Sequence, residues 1–286
     1  MTAVDLVAAG VRAASAISPR VGGALAVRGF FATRPRMRLA ARDAAIAADA
    51  RREILRVGGR RVAVSHWGVD GPLVALVHGW RGRASQFAPL VPALRADGYR
   101  VVAFDAPAHG DSAGGPVDIR DWLAALDALQ REHGRFRAVV GHSFGALAAL
   151  SAARAGLETD AVVAIAGAGR PAAFLDEFAR MIALDPATRA EFERSFLRRI
   201  GETSASATER YDALAHPLAD TPLLVVHGDA DRQVPLAESR VLAEATPGSR
   251  LVVVREAGHT RVLAALETRD AVLRHLAAAA RSRVSP

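Results

Sequence analysis

The feature that most narrows what this chain can fold into is a five-residue turn, Gly141-His142-Ser143-Phe144-Gly145. Before it runs Phe136–Val140, an apolar segment of strand length; after it runs Ala146–Ala153, alanine-rich and of high helix propensity. A strand that becomes a helix within so few residues leaves no room for side chains at the flanking positions, and both are glycine. Ser143 is then carried above the end of a strand and onto the start of a helix, whose free N–H groups and positive dipole end suit a developing anion.

A serine hydroxyl is a poor nucleophile without a base and an acid that orients the base. Thr221–Asp231 reads as a buried strand ending in an acidic loop, with Asp229 and Asp231 both available. Leu251–His259 reads as a second buried strand ending in a histidine. Only His275 lies beyond it, inside a helical run. Serine, acid and histidine thus follow in order, each just past the carboxyl end of a strand, where parallel sheets gather their ligand sites.

The rest of the chain supplies the matching frame. Arg52–Val57, a Gly58-Gly59 turn and Arg61–Trp67 read as a hairpin at a sheet edge. Strand-length runs then alternate with helical ones: Leu73–Val77 before a helix over Ser85–Ala96, Arg100–Asp105 before Ile119–Glu132, and Ala161–Ala166 after the helix that follows the turn. A last helix is expected over about 262–280. Such alternation predicts a mostly parallel sheet with helices on both faces.

With these pieces in place the chain resembles the α/β-hydrolase superfamily, within its small cap-bearing serine esterases and lipase-like hydrolases, over roughly residues 53–280. His78-Gly79-Trp80 is similar to that family's oxyanion-hole segment. Asp105–Ser112 is similar to its D-x-x-G-H-G-x-S turn, with Pro107-Ala108 where Arg-Gly is commoner. His227–Pro235 is close to its H-G-x-x-D-x-x-V-P acid loop, which favours Asp231 over Asp229 as the acid. The resemblance implies an α/β-hydrolase fold with a mostly parallel eight-stranded sheet and a short helical lid over 170–219. It implies Ser143, Asp231 and His259 as catalytic triad, and backbone N–H groups of Trp80 and Phe144 as oxyanion hole. The implied reaction is cofactor-free cleavage of a carboxylic ester through an acyl-enzyme on Ser143. Acyltransferase, thioesterase and perhydrolase chemistry use the same triad, and a non-catalytic ligand-binding member of the fold is the contrasting class. A serine at the turn, not an aspartate, sets the chain apart from haloalkane dehalogenases and most epoxide hydrolases.

In the segment 170–219, Phe174/Phe178/Ile182 and Phe192/Phe196/Ile200 recur at helical spacing. These stripes bury the lid, and Trp80, Phe174 and Phe178 are candidates for an apolar acyl pocket beside Ser143. His78, His109, His142 and His227 are expected as structural hydrogen-bonders. Arg81, Arg83 and Arg170 fall near the pocket mouth, either as solvated loop charges or as partners for an acidic substrate group.

The 286 residues, 51% of them hydrophobic, suffice for one large core. With no cysteine and no histidine pair at metal-binding spacing, neither a disulfide nor a metal is expected. Every positive side chain except histidine is arginine, and the charge is uneven: residues 1–61 hold twelve Arg against four acidic residues. No nucleic-acid module is legible. No apolar run reaches the roughly 20 residues of a membrane span, and no leader pattern precedes the body, so the expected location is cytoplasmic. The basic, alanine-rich arm 1–50 precedes a catalytic domain 51–286. It reads either as helices packed on the body or as an amphipathic arm on an anionic membrane, with Phe30-Phe31 as anchors. Because every candidate site residue lies beyond Arg51, the arm is expected to be dispensable for chemistry but not for the behaviour of the protein.

Overall fold

The structure is a computed structural model and describes residues 3–282; the outermost residues of the 1–50 arm and the 51–286 body lie outside the described residues. Eight strands form one sheet: β1 (Arg51–Val57), β2 (Arg60–Trp67), β3 (Leu73–Val77), β4 (Arg100–Asp105), β5 (Ala138–His142), β6 (Val162–Ile165), β7 (Leu223–Gly228) and β8 (Arg250–Val254). Their order is β1-β2-β4-β3-β5-β6-β7-β8, with β2 antiparallel to both neighbours and every later pairing parallel. The order reverses direction between β3 and β5, the crevice where open parallel sheets bind ligands.

Helices α1 (Ala3–Ile17), α2 (Pro19–Phe30) and α3 (Ala44–Ala48) precede the sheet. Within it come α4 (Val91–Ala96), α5 (Ile119–His133) and α6 (Phe144–Arg154), then α7 (Pro171–Met181), α8 (Pro186–Ile200) and α9 (Ser204–Tyr211) between β6 and β7. The chain closes with α10 (Leu236–Ala245) and α11 (Leu266–Ser282). Period-two alternation on β3 shows the layering. Leu73, Ala75 and Val77 join a core with Trp122 and Leu126 of α5 and Leu147 and Leu150 of α6. Val74 and Leu76 join the opposite core with Leu94 of α4 and Val272 and Leu276 of α11.

Local departures from the sequence reading have physical causes. The expected helix 85–96 is broken into a 3-10 turn, Ala84–Phe87, and α4, because Pro89 has no N–H to donate and its ring crowds the preceding turn. The strand expected from Phe136 begins at Ala138, Phe136 contributing only an isolated bridge to Thr159. The last helix begins at Leu266, after a separate 3-10 turn Arg261–Ala264 that ends in an extended Ala265.

The arm is built into the main core through Ala8, Val11, Ala26 and Val27. Helix α2 lies directly on α8, and the contact is backbone to backbone. A Cβ at Gly23 would stand 2.7 Å from both the Glu191 carbonyl carbon and the Phe192 nitrogen. Phe30, at the end of α2, meets Phe178, Phe192 and Phe196 edge-on at ring-centroid distances of 5.4, 5.7 and 5.8 Å. Phe31 stacks on Phe196 at 5.8 Å. The two phenylalanines considered above as membrane anchors are therefore packed between arm and insertion.

Candidate active site

Ser143 stands between β5 and α6 with φ 56° and ψ −124°, a backbone conformation that costs a side-chain-bearing residue on the order of 1–3 kcal/mol. The surroundings hold it there. A Cβ at Gly141 would lie 2.2 Å from the Gly145 carbonyl oxygen, and one at Gly145 would lie 2.0 Å from that of Val77. The Ser143 N–H continues the sheet by donating to the Ile165 carbonyl at 2.9 Å. Across the crevice the loop after β3 comes so close that a Cβ at Gly79 would sit 2.8 Å from Ser143 Cβ and 3.3 Å from its Oγ. Trp80 follows on that loop, and Phe144 opens α6, its N–H among those with no partner inside the helix.

Asp231 and His259, on the loops after β7 and β8, are joined by a 2.7 Å hydrogen bond from the imidazole Nδ1 to Oδ2, which leaves Nε2 as the free ring nitrogen. The other carboxylate oxygen accepts backbone N–H bonds from Gln233 at 2.8 Å and Val234 at 3.1 Å, fixing its direction. Burial alone would raise this carboxyl, but hydrogen bonds from His227 and His259 outweigh it and hold Asp231 well below the usual carboxylate range. Asp229 points elsewhere, accepting the Glu256 N–H at 2.6 Å and shaping the turn. His142 is bonded to the same loop: its Nε2 donates to the His259 carbonyl at 2.8 Å, and its Nδ1 accepts from Gln86 Nε2 at 2.9 Å. Burial, then the neighbouring His259, pushes His142 down to about 3, so it is neutral at physiological pH. Among the described residues Ser143 Oγ has no hydrogen-bond partner; nucleophile–base bonds often close only when substrate is present.

Ser143 and His259 open into one cavity of about 560 Å³, within the range of small-molecule sites. Trp80, Phe144, Phe174 and Phe178 line it. Trp80 stacks on Trp122 at 5.4 Å, and Phe144 meets both indoles edge-on. His78 is buried and neutral, pushed down to about 4; its Nδ1 donates to the Gly79 carbonyl at 2.7 Å and its Nε2 accepts the Ala106 N–H at 2.9 Å. His109 donates from Nδ1 to the Pro107 carbonyl, and His227 Nδ1 lies 2.7 Å from Ser239 Oγ. Of the three arginines expected near the mouth only Arg81 lines the cavity, and all three have protein partners. Arg83 pairs with Asp111 at 2.9 Å, Arg170 with Glu238 at 3.2 Å, and Arg81 Nε donates to the Ala32 carbonyl at 3.0 Å.

The arm, packed on the body, also reaches this site. Val7, Phe30, Phe31, Ala32 and Met37 line the same cavity. The same Ala32 carbonyl accepts a second bond, 3.0 Å from Trp80 Nε1, and the Met37 N–H donates to the Arg81 carbonyl. A separate group, Glu53, His66 and His133, brings three donor atoms within 4.8 Å of one another at the sheet edge. Arg51 already lies 2.9 Å from the Glu53 oxygen that faces His66, so that carboxylate is compensated within the chain.

A mostly parallel sheet that carries a serine on a strained strand-to-helix turn, beside a carboxylate–imidazole pair, is the architecture of the α/β hydrolases. A model of the alpha/beta hydrolase family matches residues 74–275, and the chain belongs to that family. It is similar to the monoacylglycerol lipase of Mycolicibacterium smegmatis, 27% identical over 66% of this chain and 81% of that protein. It is also similar to the pimeloyl-acyl-carrier-protein methyl ester esterase of Neisseria meningitidis, 32% identical over 70% of this chain and 75% of that protein. Among solved structures, mouse alpha/beta hydrolase domain-containing protein 10 shares the fold with a TM-score of 0.63 at 18% identity, covering 82% of this chain and all of that one. No helix of the described residues is long and apolar enough to cross a membrane.

Proposed function

We propose that the protein is a serine hydrolase that cleaves a carboxylic ester with an apolar acyl group, through an acyl-enzyme on Ser143. The observation that carries this reading is that His259, bonded to Asp231, opens together with Ser143 into one largely apolar cavity. Ser143 Oγ attacks the ester carbonyl carbon while His259 Nε2 takes its proton. Asp231, held ionised, keeps the imidazole in the tautomer that presents Nε2 and stabilises the imidazolium. The carbonyl oxygen, now an anion, is received by the backbone N–H of Phe144 at the α6 N-terminus and that of Trp80. His259 returns the proton to the departing alkoxide, and water repeats the sequence to release the acid. The ester and lipase activities named for its relatives agree with this chemistry.

The test is a fluorophosphonate label with peptide mapping, beside kinetics on p-nitrophenyl esters of increasing acyl length and on a thioester. The adduct is expected on Ser143, and kcat/KM is expected to rise with chain length, each buried methylene contributing about 0.8 kcal/mol until the cavity is full. An adduct on another serine, no adduct on folded protein, or turnover confined to the thioester would overturn the reading.

A further inference from the structure

The arm meets the site in a way that the proposed reaction does not require. From the end of α2 the segment Phe30–Met37 leaves the insertion and crosses to the loop after β3. It is tied at both ends. At the insertion, Phe30 is surrounded edge-on by Phe178, Phe192 and Phe196, and Phe31 stacks on Phe196 with the Arg199 guanidinium 4.9 Å over its ring. At the loop, the single Ala32 carbonyl accepts from both Trp80 Nε1 and Arg81 Nε at 3.0 Å, and the Met37 N–H closes on the Arg81 carbonyl at 3.1 Å. The aromatic surface is continuous across these ties. Phe144, next to Ser143, meets Trp80 at 5.3 Å; Trp80 meets Phe31 at 5.9 Å; Phe31 meets Phe30 at 5.2 Å. Beyond Phe30, Val7 of α1 continues the cavity wall. From Ser143 this aromatic wall runs first over the body residues Phe144 and Trp80 and then over the arm residues Phe31 and Phe30. Phe30, Phe31 and Ala32 present apolar groups to the cavity and suit a hydrocarbon chain, while Arg34 further along the arm also lines it.

We infer that the amino-terminal arm is part of the acyl-binding site: Phe30, Phe31 and Val7 form the distal wall for an apolar acyl chain, and the Ala32 carbonyl ties that wall to the loop carrying Trp80. The arm, not the residues around Ser143, then sets how long a chain the cavity accepts. This rests on the acyl specificity proposed above and adds the element that limits it.

Binding and turnover separate the two ideas. Full-length protein is loaded with a dansyl-labelled fatty acid, and octanoate, laurate and palmitate are used to displace it, with no ester cleaved. Val7→Phe fills the far end and should weaken palmitate relative to octanoate by about tenfold, moving the preference to shorter acids. Phe31→Ala opens the wall and should move it to longer ones. Opposite shifts are the signature, because a general loosening of the fold would move both variants the same way. Profiles that superimpose on the wild type, or that shift in one direction for both variants, would overturn the inference. Protein that binds acids with these shifts yet hydrolyses no ester keeps the arm's role and loses the proposed reaction. Protein that hydrolyses esters with unchanged chain preference in both variants does the reverse.

Discussion

At the scale of single residues, Ser143 was legible as the candidate nucleophile because the reason for its turn is steric. Few sequences permit a strand to become a helix in one turn, and Gly141 and Gly145 are where a Cβ would strike backbone. The acid was less legible. Two aspartates two residues apart fit the same loop, and only hydrogen bonding separates them: Asp231 receives the imidazole, Asp229 receives the Glu256 N–H. The roles predict a graded series. Ser143→Ala and His259→Ala are each expected to lower kcat on a p-nitrophenyl ester by on the order of 10⁴ or more, and Asp231→Asn by somewhat less. Asp229→Asn should keep most activity and lose stability instead. Steady-state kinetics with melting curves on the four variants checks this, and a more damaging Asp229 variant with intact fold would reverse the assignment. Gln86 was not legible at all, since nothing near it in sequence marks it; it acts on His259 only through His142, which the fold brings alongside.

At the scale of elements, periodicity and order found the sheet and most helices, while boundaries moved where a proline or a cap decided them. The docking of α2 left a trace that composition alone obscured. Gly22, Gly23 and Gly29 lie within one twelve-residue helix, and each costs about 1 kcal/mol relative to alanine. A helix retains such residues where another backbone must come close, and Gly23 is where Glu191 and Phe192 do so. Gly23→Val should therefore force α2 off α8 and destabilise the protein by about 1–3 kcal/mol, in spite of replacing a poor helix former. Ala24→Val, on the exposed side of the same helix, is the control. Calorimetry should show a melting temperature lowered by several degrees for the first and nearly unchanged for the second. Equal effects would mean that α2 does not bear on α8 as described. The insertion itself was readable from its two phenylalanine stripes; that the arm supplies the opposing rings was not, because the partners are more than 140 residues apart.

At the scale of the whole molecule, buried histidines tie folding to pH. Burial holds His66 and His78 down to about 4 and His109 and His142 down to about 3, against 6.5 when unfolded. Above the unfolded value both states are neutral and pH has no leverage through these rings. Between about pH 6.5 and 4 the unfolded chain binds protons that the folded chain refuses, so stability falls as pH falls. Urea denaturation at pH 7, 6 and 5 should show a net uptake of protons on unfolding near pH 5, each proton lowering stability by about 1.4 kcal/mol per pH unit. A free energy of unfolding that is level across that range would contradict the buried, neutral state of these four residues. The packing of the arm also bears on how the protein is handled at the bench. Val4 and Val7 of α1 both line the cavity that holds Ser143, so a purification tag or fusion partner joined at the amino end is attached close to the cavity wall. Helix α11 packs in the opposite core, against β7 and β8, which makes the carboxyl end the safer place for a label, a surface linker or an immobilisation handle.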